Sequence, residues 1–261
     1  MSSVQPSVQS SLEGQILTIT LNRPGRLNAV SSGLYEGIID AFDQSSTDPG
    51  VRAVVMTGSG RAFCVGADLK AHGDGNRTPE QIAAYVQLGQ DVCERIQTAS
   101  VPVIAAVHGY ALGAGAEMAT SADFLVMAED AQMGFPEVSI GTFIGGGVTH
   151  RLPRLVGLRR ASELLIQGDR FTGRQAAEWG LANFSVPSGE ALTAALSLAQ
   201  RLVSNAPRSM GLVKEALNRD DSLATALTSE AANLLAVMQT QDWAEGVAAF
   251  AERRAPTFVG R

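Results

Sequence analysis

Hydrophobic positions along the chain follow two different spacings that alternate with each other. Short β-branched or apolar runs predict buried strands at residues 16–21, 51–57, 101–107 and 124–127. Apolar residues at helical spacing predict helices over residues 34–42, from Pro79 onward and over 114–121. This alternation predicts an α/β fold built on a largely parallel sheet that is covered on both faces.

The strand pattern disappears after about residue 188. Amphipathic segments follow, and they predict helices over residues 191–204, 207–218, 222–239 and 242–254. We therefore place a boundary near residue 190, with an α/β core over residues 12–190 and a helical region over 191–261. Residues 1–11 lack the basic and apolar segments of a targeting peptide, and we predict that they form a disordered tail.

Composition narrows the class of protein and of partner. The chain has 261 residues and is 45% hydrophobic, which is sufficient for a large buried core. Its net charge is −6 and it contains no block of Lys or Arg, so we expect neither nucleic acid nor an anionic membrane as a partner. The two cysteines, Cys64 and Cys93, have no zinc-binding or redox spacing. These features predict a reduced, cytoplasmic protein without a metal site.

Two glutamates, Glu117 and Glu137, lie beside turns marked by glycine or proline. Only 18% of the residues are charged, and both carboxylates have glycine and apolar neighbours in the sequence. Partial burial raises the pKa of a carboxyl group towards neutral pH, so the pair is suited to general acid and base catalysis. The alternative is structural, because Glu117 could complement the positive end of a helix and Glu137 could cap a loop.

Two glycine-containing loops, residues 63–69 and 109–115, follow predicted strands. Each leads into a predicted helix, and their free backbone N–H groups could converge on one oxygen atom as an oxyanion hole. The alternative is that these glycines only allow tight turns. Neither loop has the spacing of a dinucleotide fingerprint or a P-loop, and no nucleophile elbow surrounds Ser59.

Several motifs occur in an order that is similar to one enzyme family. They are Asn22–Ala29, Ala62–Leu69, Val107–Glu117, Phe135–Glu137 and the tail from Phe250 to Phe258. Together they resemble the enoyl-CoA hydratase/isomerase (crotonase) superfamily over residues 12–261. The resemblance implies a spiral of repeated ββα units with a helical C-terminal region that assembles a homotrimer or a dimer of trimers. It also implies acyl-CoA thioester substrates and no cofactor other than the coenzyme A of the substrate.

The resemblance also implies roles for individual residues. The backbone N–H groups of Ala67 and Ala114 would form the oxyanion hole, and a glutamate at both 117 and 137 is similar to the hydratases of the family. We expect Glu117 to be the base that activates water and Glu137 to be the proton donor. The implied substrate and coenzyme A contacts are Arg26, Leu27, Ala29, Ala67, Asp68, Leu69, Lys70, Gly113, Ala114 and Phe258.

The sequence departs from the hydratase pattern at several positions. Ala114 stands where many members have glycine, and Ile144, Val148 and His150 replace the proline, glycine and glutamine that are common there. Three alternatives within the family therefore stay open: an isomerase, another acyl-CoA lyase or a coenzyme A-binding protein without turnover. Outside it, a glycosidase would also use two carboxylates, although 5% aromatic content disfavours sugar-stacking sites.

Overall fold

Two β-sheets organise the chain, whose computed structural model describes residues 5–68 and 77–261. The strands are β1 (Val8–Glu13), β2 (Ile16–Leu21), β3 (Ala53–Gly58), β4 (Val103–Val107), β5 (Tyr110–Leu112), β6 (Phe124–Ala128), β7 (Gln132–Gly134), β8 (Phe171–Thr172) and β9 (Phe184–Val186). The larger sheet has the order β1-β2-β3-β4-β6-β9, and the smaller one has the order β5-β7-β8. Among the strand pairs of the described residues, β1–β2 and β7–β8 are antiparallel and the other five are parallel.

Helices cover the sheets and form the C-terminal part of the chain. They are α1 (Ser32–Thr47), α2 (Pro79–Thr98), α3 (Ala114–Ser121), α4 (Val148–Val156), α5 (Leu158–Gln167), α6 (Gly173–Glu178), α7 (Ala191–Leu202), α8 (Pro207–Leu217), α9 (Leu223–Val237) and α10 (Gln241–Glu252). Side-chain caps fix several of their starts, since Ser31 accepts from Leu34 N and Thr78 forms a capping box with Gln81. In the described part of the chain, none of the helices is both long and apolar enough to cross a membrane.

The central strand β3 shows why the larger sheet is covered on both faces. All six of its residues are buried. Val54 and Met56 belong to the main hydrophobic core, whereas Ala53 and Val55 belong to a second cluster on the opposite face. Because successive side chains of a strand point to opposite faces, an uninterrupted apolar run requires two apolar layers. The prediction of a largely parallel, doubly covered sheet is confirmed.

Helix α7 forms the layer on the second face of the sheet. Its Ala195, Leu198 and Ala199 pack in one cluster with Val55 and Ile104 of β3 and β4. The boundary predicted near residue 190 is therefore wrong, because α7 belongs to the α/β core. An amphipathic pattern alone does not distinguish a helix that covers a sheet from one that extends away from it.

Strand β1 corrects the prediction for the N-terminus. The tail predicted over residues 1–11 is wrong for residues 8–11, which pair antiparallel with β2 from Val8 opposite Leu21 to Glu13 opposite Ile16. Five of the six β1 side chains are exposed, so the strand carries almost no hydrophobic signal. Backbone hydrogen bonds to the sheet edge, reached through a turn at Gly14 with φ +60°, hold it in place.

Candidate functional site

Two loops meet beyond the carboxyl ends of the neighbouring strands β3 and β4. Phe63 N–H donates to His108 O at 3.0 Å and Cys64 N–H donates to Tyr110 O at 3.0 Å, while Leu112 N–H returns a bond to Cys64 O at 2.9 Å. These bonds align the loop after β3 with β5 and with the start of α3. Parallel strands end at one edge of a sheet, which is why loops far apart in sequence come together here.

The backbone N–H groups of Ala67 and Ala114 are available for a ligand. Val30 N–H donates to Gly66 O and Asp68 N–H donates to Val30 O, so the Ala67 N–H points to the other side of this bridge. Ala114 is the first residue of α3, where an N–H has no partner within the helix. Within residues 5–68 and 77–261, neither group has a hydrogen-bond acceptor.

Gly66 and Gly113 allow the two N–H groups to lie near each other. Gly66 has φ +88°, and a Cβ built on it would lie 2.7 Å from Leu112 O and 3.6 Å from Ala114 N. Gly113 has φ +53°, a backbone conformation that residues other than glycine rarely adopt. The arrangement has the geometry of two donors that could share one oxygen atom.

Glu117 lies on the first turn of α3, a helix in which nearly every residue is buried. Its side chain is 8% exposed, and Oε1 accepts a hydrogen bond from Gly145 N–H at 2.8 Å. The pKa of Glu117 is raised to about 7, mainly by burial and to a smaller extent by the negative charge of Glu137. The Gly145 bond and the charge of Arg151 act in the opposite direction, because both stabilise the carboxylate.

Glu137 lies in the 3-10 turn Pro136–Ile140 that follows β7. It is also 8% exposed, and burial raises its pKa. Its Oε2 is buried without a hydrogen-bond partner in the described part of the chain. A buried carboxyl oxygen without a partner is costly, so this atom is expected to bind water or a ligand, or to carry a proton.

Gly113 lies beside both glutamates. Its carbonyl accepts from Glu117 N–H at 2.9 Å, and a Cβ built on Gly113 would lie 2.9 Å from Glu137 Oε1. The two carboxyl groups are close enough for the charge of one to raise the pKa of the other. The structure thus brings together the four residues to which the sequence assigned catalysis, Glu117, Glu137, Ala67 and Ala114. Their catalytic roles stay predictions.

Other predicted contact residues lie around the same loops. Arg26 is exposed at the end of the 3-10 turn Pro24–Arg26, and Leu27 follows it in a left-handed conformation with φ +51°. Ala29 is buried, and its carbonyl accepts from Arg23. Asp68 forms an ion pair with the other end of the same guanidinium at 3.2 Å. Asp68 therefore has a structural partner besides any ligand contact. Leu69 and Lys70 lie outside the described residues.

The structure does not bring Phe258 to this site within one chain. Its ring lies in the C-terminal region, with a ring atom 3.7 Å from a Cβ built on Gly246. Its carbonyl accepts from Arg52 at 2.7 Å, and the next two N–H groups donate to Asp242. The tail is fixed against α10, and a role for Phe258 at the site would require a neighbouring subunit.

Three further residues support the site without having been singled out in the sequence. The buried amide of Asn28 donates to Ser59 O and Ala62 O and accepts from Arg23 N–H, which joins three turns near the site. Gln90 accepts from Gly146 N–H at 3.1 Å. Arg151 donates to Gly146 O at 2.5 Å. A polar side chain that hydrogen-bonds to backbone groups leaves no periodic pattern in the sequence, and of the three only Arg151 lies near a glycine run.

Charged side chains elsewhere give no sign of a metal centre. In the chain segments that the structure describes, no group of three or more His, Cys, Asp and Glu residues could hold a metal ion. His150 is exposed and bonded to Arg154. Cys64 and Cys93 are both buried free cysteines. Burial raises the pKa of the Cys93 thiol to about 11.

Comparison with known proteins gives one consistent result. A family model described as enoyl-CoA hydratase/isomerase matches residues 11–261. The chain is 34% identical to a 2,3-dehydroadipyl-CoA hydratase from Escherichia coli strain K12, covering 96% of this chain and 98% of that protein. It is 35% identical to a short-chain-enoyl-CoA hydratase from Clostridium acetobutylicum, covering 93% of each. The crystal structure of an enoyl-CoA hydratase from Bacillus anthracis superposes with a TM-score of 0.93 at 35% identity, over 98% of this chain and 100% of that chain.

Proposed function

Since this chain belongs to the enoyl-CoA hydratase/isomerase family, we propose that it adds water across the 2,3 double bond of an enoyl-CoA thioester. The membership and the fold predicted from the sequence motifs are confirmed. Relatives named as enoyl-CoA hydratases align over nearly the whole chain at about 35% identity. The observation that carries the proposal is the pair of buried glutamates beside Gly113, together with two backbone N–H groups that have no acceptor among the described residues.

The thioester carbonyl is proposed to bind at Ala67 and Ala114. As hydroxide adds to Cβ, the electrons of the double bond move to the carbonyl oxygen and form an enolate. Two preorganised N–H donors stabilise that charge, and removal of one such donor typically costs about 3 to 4 kcal/mol. Both donors already lie in the positions that Gly66 and Gly113 permit, so little reorganisation is needed when the charge develops.

Glu117 is proposed to take a proton from water, and Glu137 to donate a proton to Cα. Burial raises the pKa of both groups, so burial alone does not separate their roles. Hydrogen bonding does, because Gly145 N–H and the Arg151 charge favour the carboxylate of Glu117. The unpartnered Oε2 of Glu137 favours a protonated group instead. After the reaction Glu117 holds the proton from water and Glu137 is ionised, and exchange with solvent restores both.

A spectroscopic assay tests the reaction class. Purified protein mixed with a four-carbon 2-enoyl-CoA should remove the absorbance of the conjugated enoyl-thioester. An isomerase would instead increase that absorbance when given the 3-enoyl isomer. A coenzyme A-binding protein without turnover would bind the saturated thioester and change neither signal. Persistence of the 2-enoyl absorbance at micromolar enzyme would remove the basis for the proposal.

We also propose that the protein is a homotrimer or a dimer of trimers. Helix α9 has no buried residue, although leucines recur along it, and Phe250 of α10 is 88% exposed. Apolar surface of this extent is typical of an interface. Such an assembly could also place Phe258 of one subunit beside the coenzyme A of another. A monodisperse monomer in light scattering that still binds coenzyme A normally would contradict this. A cytoplasmic location stays a prediction.

A further inference from the structure

The glycine loop 145–147 contacts Glu117 directly and has little rigidity of its own. Gly145 N–H donates to Glu117 Oε1 at 2.8 Å. Gly146 and Gly147 both have positive φ, of +60° and +71°. Three consecutive glycines allow many backbone conformations, so bonds from elsewhere must select the one that directs the Gly145 N–H at the carboxylate.

Arg151 of α4 donates one side-chain bond to this loop and three more to the elements around it. Its Nη2 donates to Gly146 O at 2.5 Å and to Ser121 Oγ at 2.6 Å. Its Nε donates to Thr120 O at 3.2 Å, and its Nη1 donates to Gln97 Oε1 at 3.0 Å. One guanidinium therefore joins the glycine loop to the last turn of α3, the helix that carries Glu117, and to α2. The planar fork of arginine is suited to such a junction.

Close packing makes the loop sensitive to small displacements. A Cβ built on Gly146 would lie 2.7 Å from Cys93 Sγ and 3.0 Å from Glu117 Cβ. The loop backbone thus rests against the same side chain that it bonds. Gln90, on the same helix α2 as Cys93, accepts from Gly146 N–H at 3.1 Å. Loss of the Arg151 bond would leave Gly146 O without this donor, and the Gln90 bond and the backbone bond from Val148 N–H to Gly145 O at 3.2 Å would remain.

We propose that Arg151 is a positioning residue for Glu117, which it holds in register with Gly145 by fixing the glycine loop to the end of α3. The inference rests on the proposed role of Glu117 in hydration. Arg151 acts through the loop and through the helix, and it does not contact the reacting atoms. The position of the guanidinium, and not only its charge, is what the role requires.

Several groups from other elements also influence the ionisation of Glu117. The titratable and charged side chains that face it are Glu137, Arg151, Tyr35, Tyr85, Cys64 and Cys93. Of these, Arg151 is the one that lowers the pKa of Glu117. Removing it, together with a looser Gly145 bond, should therefore move that pKa upward and shift the acidic limb of the kcat profile in the same direction.

Two substitutions separate position from charge. Arg151→Met should lower kcat at pH 7 by roughly 10- to 100-fold, with a higher pKa in the kcat profile and KM changed by less than about 3-fold. Arg151→Lys keeps the charge but loses the fork. Its pH profile should return towards that of the unchanged protein, while kcat stays about 10-fold low. Full recovery of kcat in Arg151→Lys would overturn the positional role.

A matched control lies one turn away on the same helix. Arg154 is exposed, forms a hydrogen bond with His150 and forms an ion pair with Asp220. Arg154→Met therefore removes a similar arginine without changing a contact of the glycine loop. It should change neither kcat nor the pH profile. An equal shift in Arg154→Met, or an unchanged kcat and profile in a folded Arg151→Met, would show that Arg151 has no special role.

Smaller changes test the same junction if Arg151→Met does not fold. Ser121→Ala and Gln97→Met each remove one acceptor of the guanidinium and should lower kcat by roughly 2- to 5-fold with the same upward pH shift. A carbon-13 NMR titration of Glu117 in the unliganded protein measures its pKa without turnover. That titration separates the positioning role of Arg151 from the proposed hydration activity. It reports on the effect of Arg151 on Glu117 even if no enoyl-CoA is hydrated. No change of the Glu117 pKa in any variant would overturn the inference.

Discussion

The buried carboxylate of Glu117 should make the protein less stable at neutral pH than a neutral isostere would. Burial raises its pKa from 4.5 to about 7, so the folded protein binds this proton more tightly than the unfolded chain does. The free energy of unfolding therefore falls as pH rises from about 4.5 to about 7, and the full cost is present above that. Glu117→Gln removes the ionisation and keeps an oxygen that accepts from Gly145 N–H.

The size of the effect follows from the two pKa values. Their difference corresponds to about 3 kcal/mol at roughly 1.4 kcal/mol per pKa unit. With the side chain only 8% exposed, solvent screens little of this cost. We therefore expect Glu117→Gln to be more stable than the unchanged protein by about 2 to 3 kcal/mol at pH 8 and by almost nothing at pH 4. The same change should abolish most of the hydration activity.

Urea unfolding at pH 4, 6 and 8, at one fixed protein concentration, measures this difference. Fixed concentration matters because assembly contributes to apparent stability. Glu36→Gln is the matched control, because Glu36 is exposed on α1 and its change removes a charge without relieving burial. Equal stability of Glu117→Gln and the unchanged protein at all three pH values would refute the reasoning. A gain at pH 4 as large as that at pH 8 would refute it too.

Two further substitutions test the site and its support. Ala114→Pro should fold, since the first position of a helix tolerates proline. Hydration should fall by roughly 100-fold, because one oxyanion donor is lost. Full turnover with an unchanged circular dichroism spectrum would contradict the role of that N–H. Lys214→Met should lower the free energy of unfolding by about 3 to 5 kcal/mol. The change leaves Asp123 and the carbonyls of Ile96 and Val101 without their buried partner. An unchanged urea midpoint would contradict this.

The sequence predicts most of the fold because its strands are continuous apolar runs. The β3 run at 51–57 and the helix over 114–121 lie within two residues of the observed bounds. The prediction is wrong where structure depends on backbone pairing or on tertiary context. Strand β1 is exposed and polar, and α7 is amphipathic whether or not it covers a sheet.

The candidate site is predictable from residue types beside glycine turns, but its supporting bonds are not. Glu117 and Glu137 are unusual carboxylates in an apolar context, and the structure places both beside Gly113. Arg151, by contrast, is one of several arginines in 151–160, and the sequence does not show that its neighbour Arg154 is exposed. Its contacts come from three elements that only the fold brings together.

The central claim is that Glu117 and Glu137 act together as base and acid in hydration, and a double-mutant cycle tests it most directly. Hydration of a four-carbon 2-enoyl-CoA is measured for the unchanged protein, Glu117→Gln, Glu137→Gln and the double variant, with circular dichroism to confirm folding. Each single change should lower kcat by roughly 100-fold or more, and the double change should cost far less than the product of the two. Near-normal hydration in either single variant, or fully multiplicative losses, would contradict the claim.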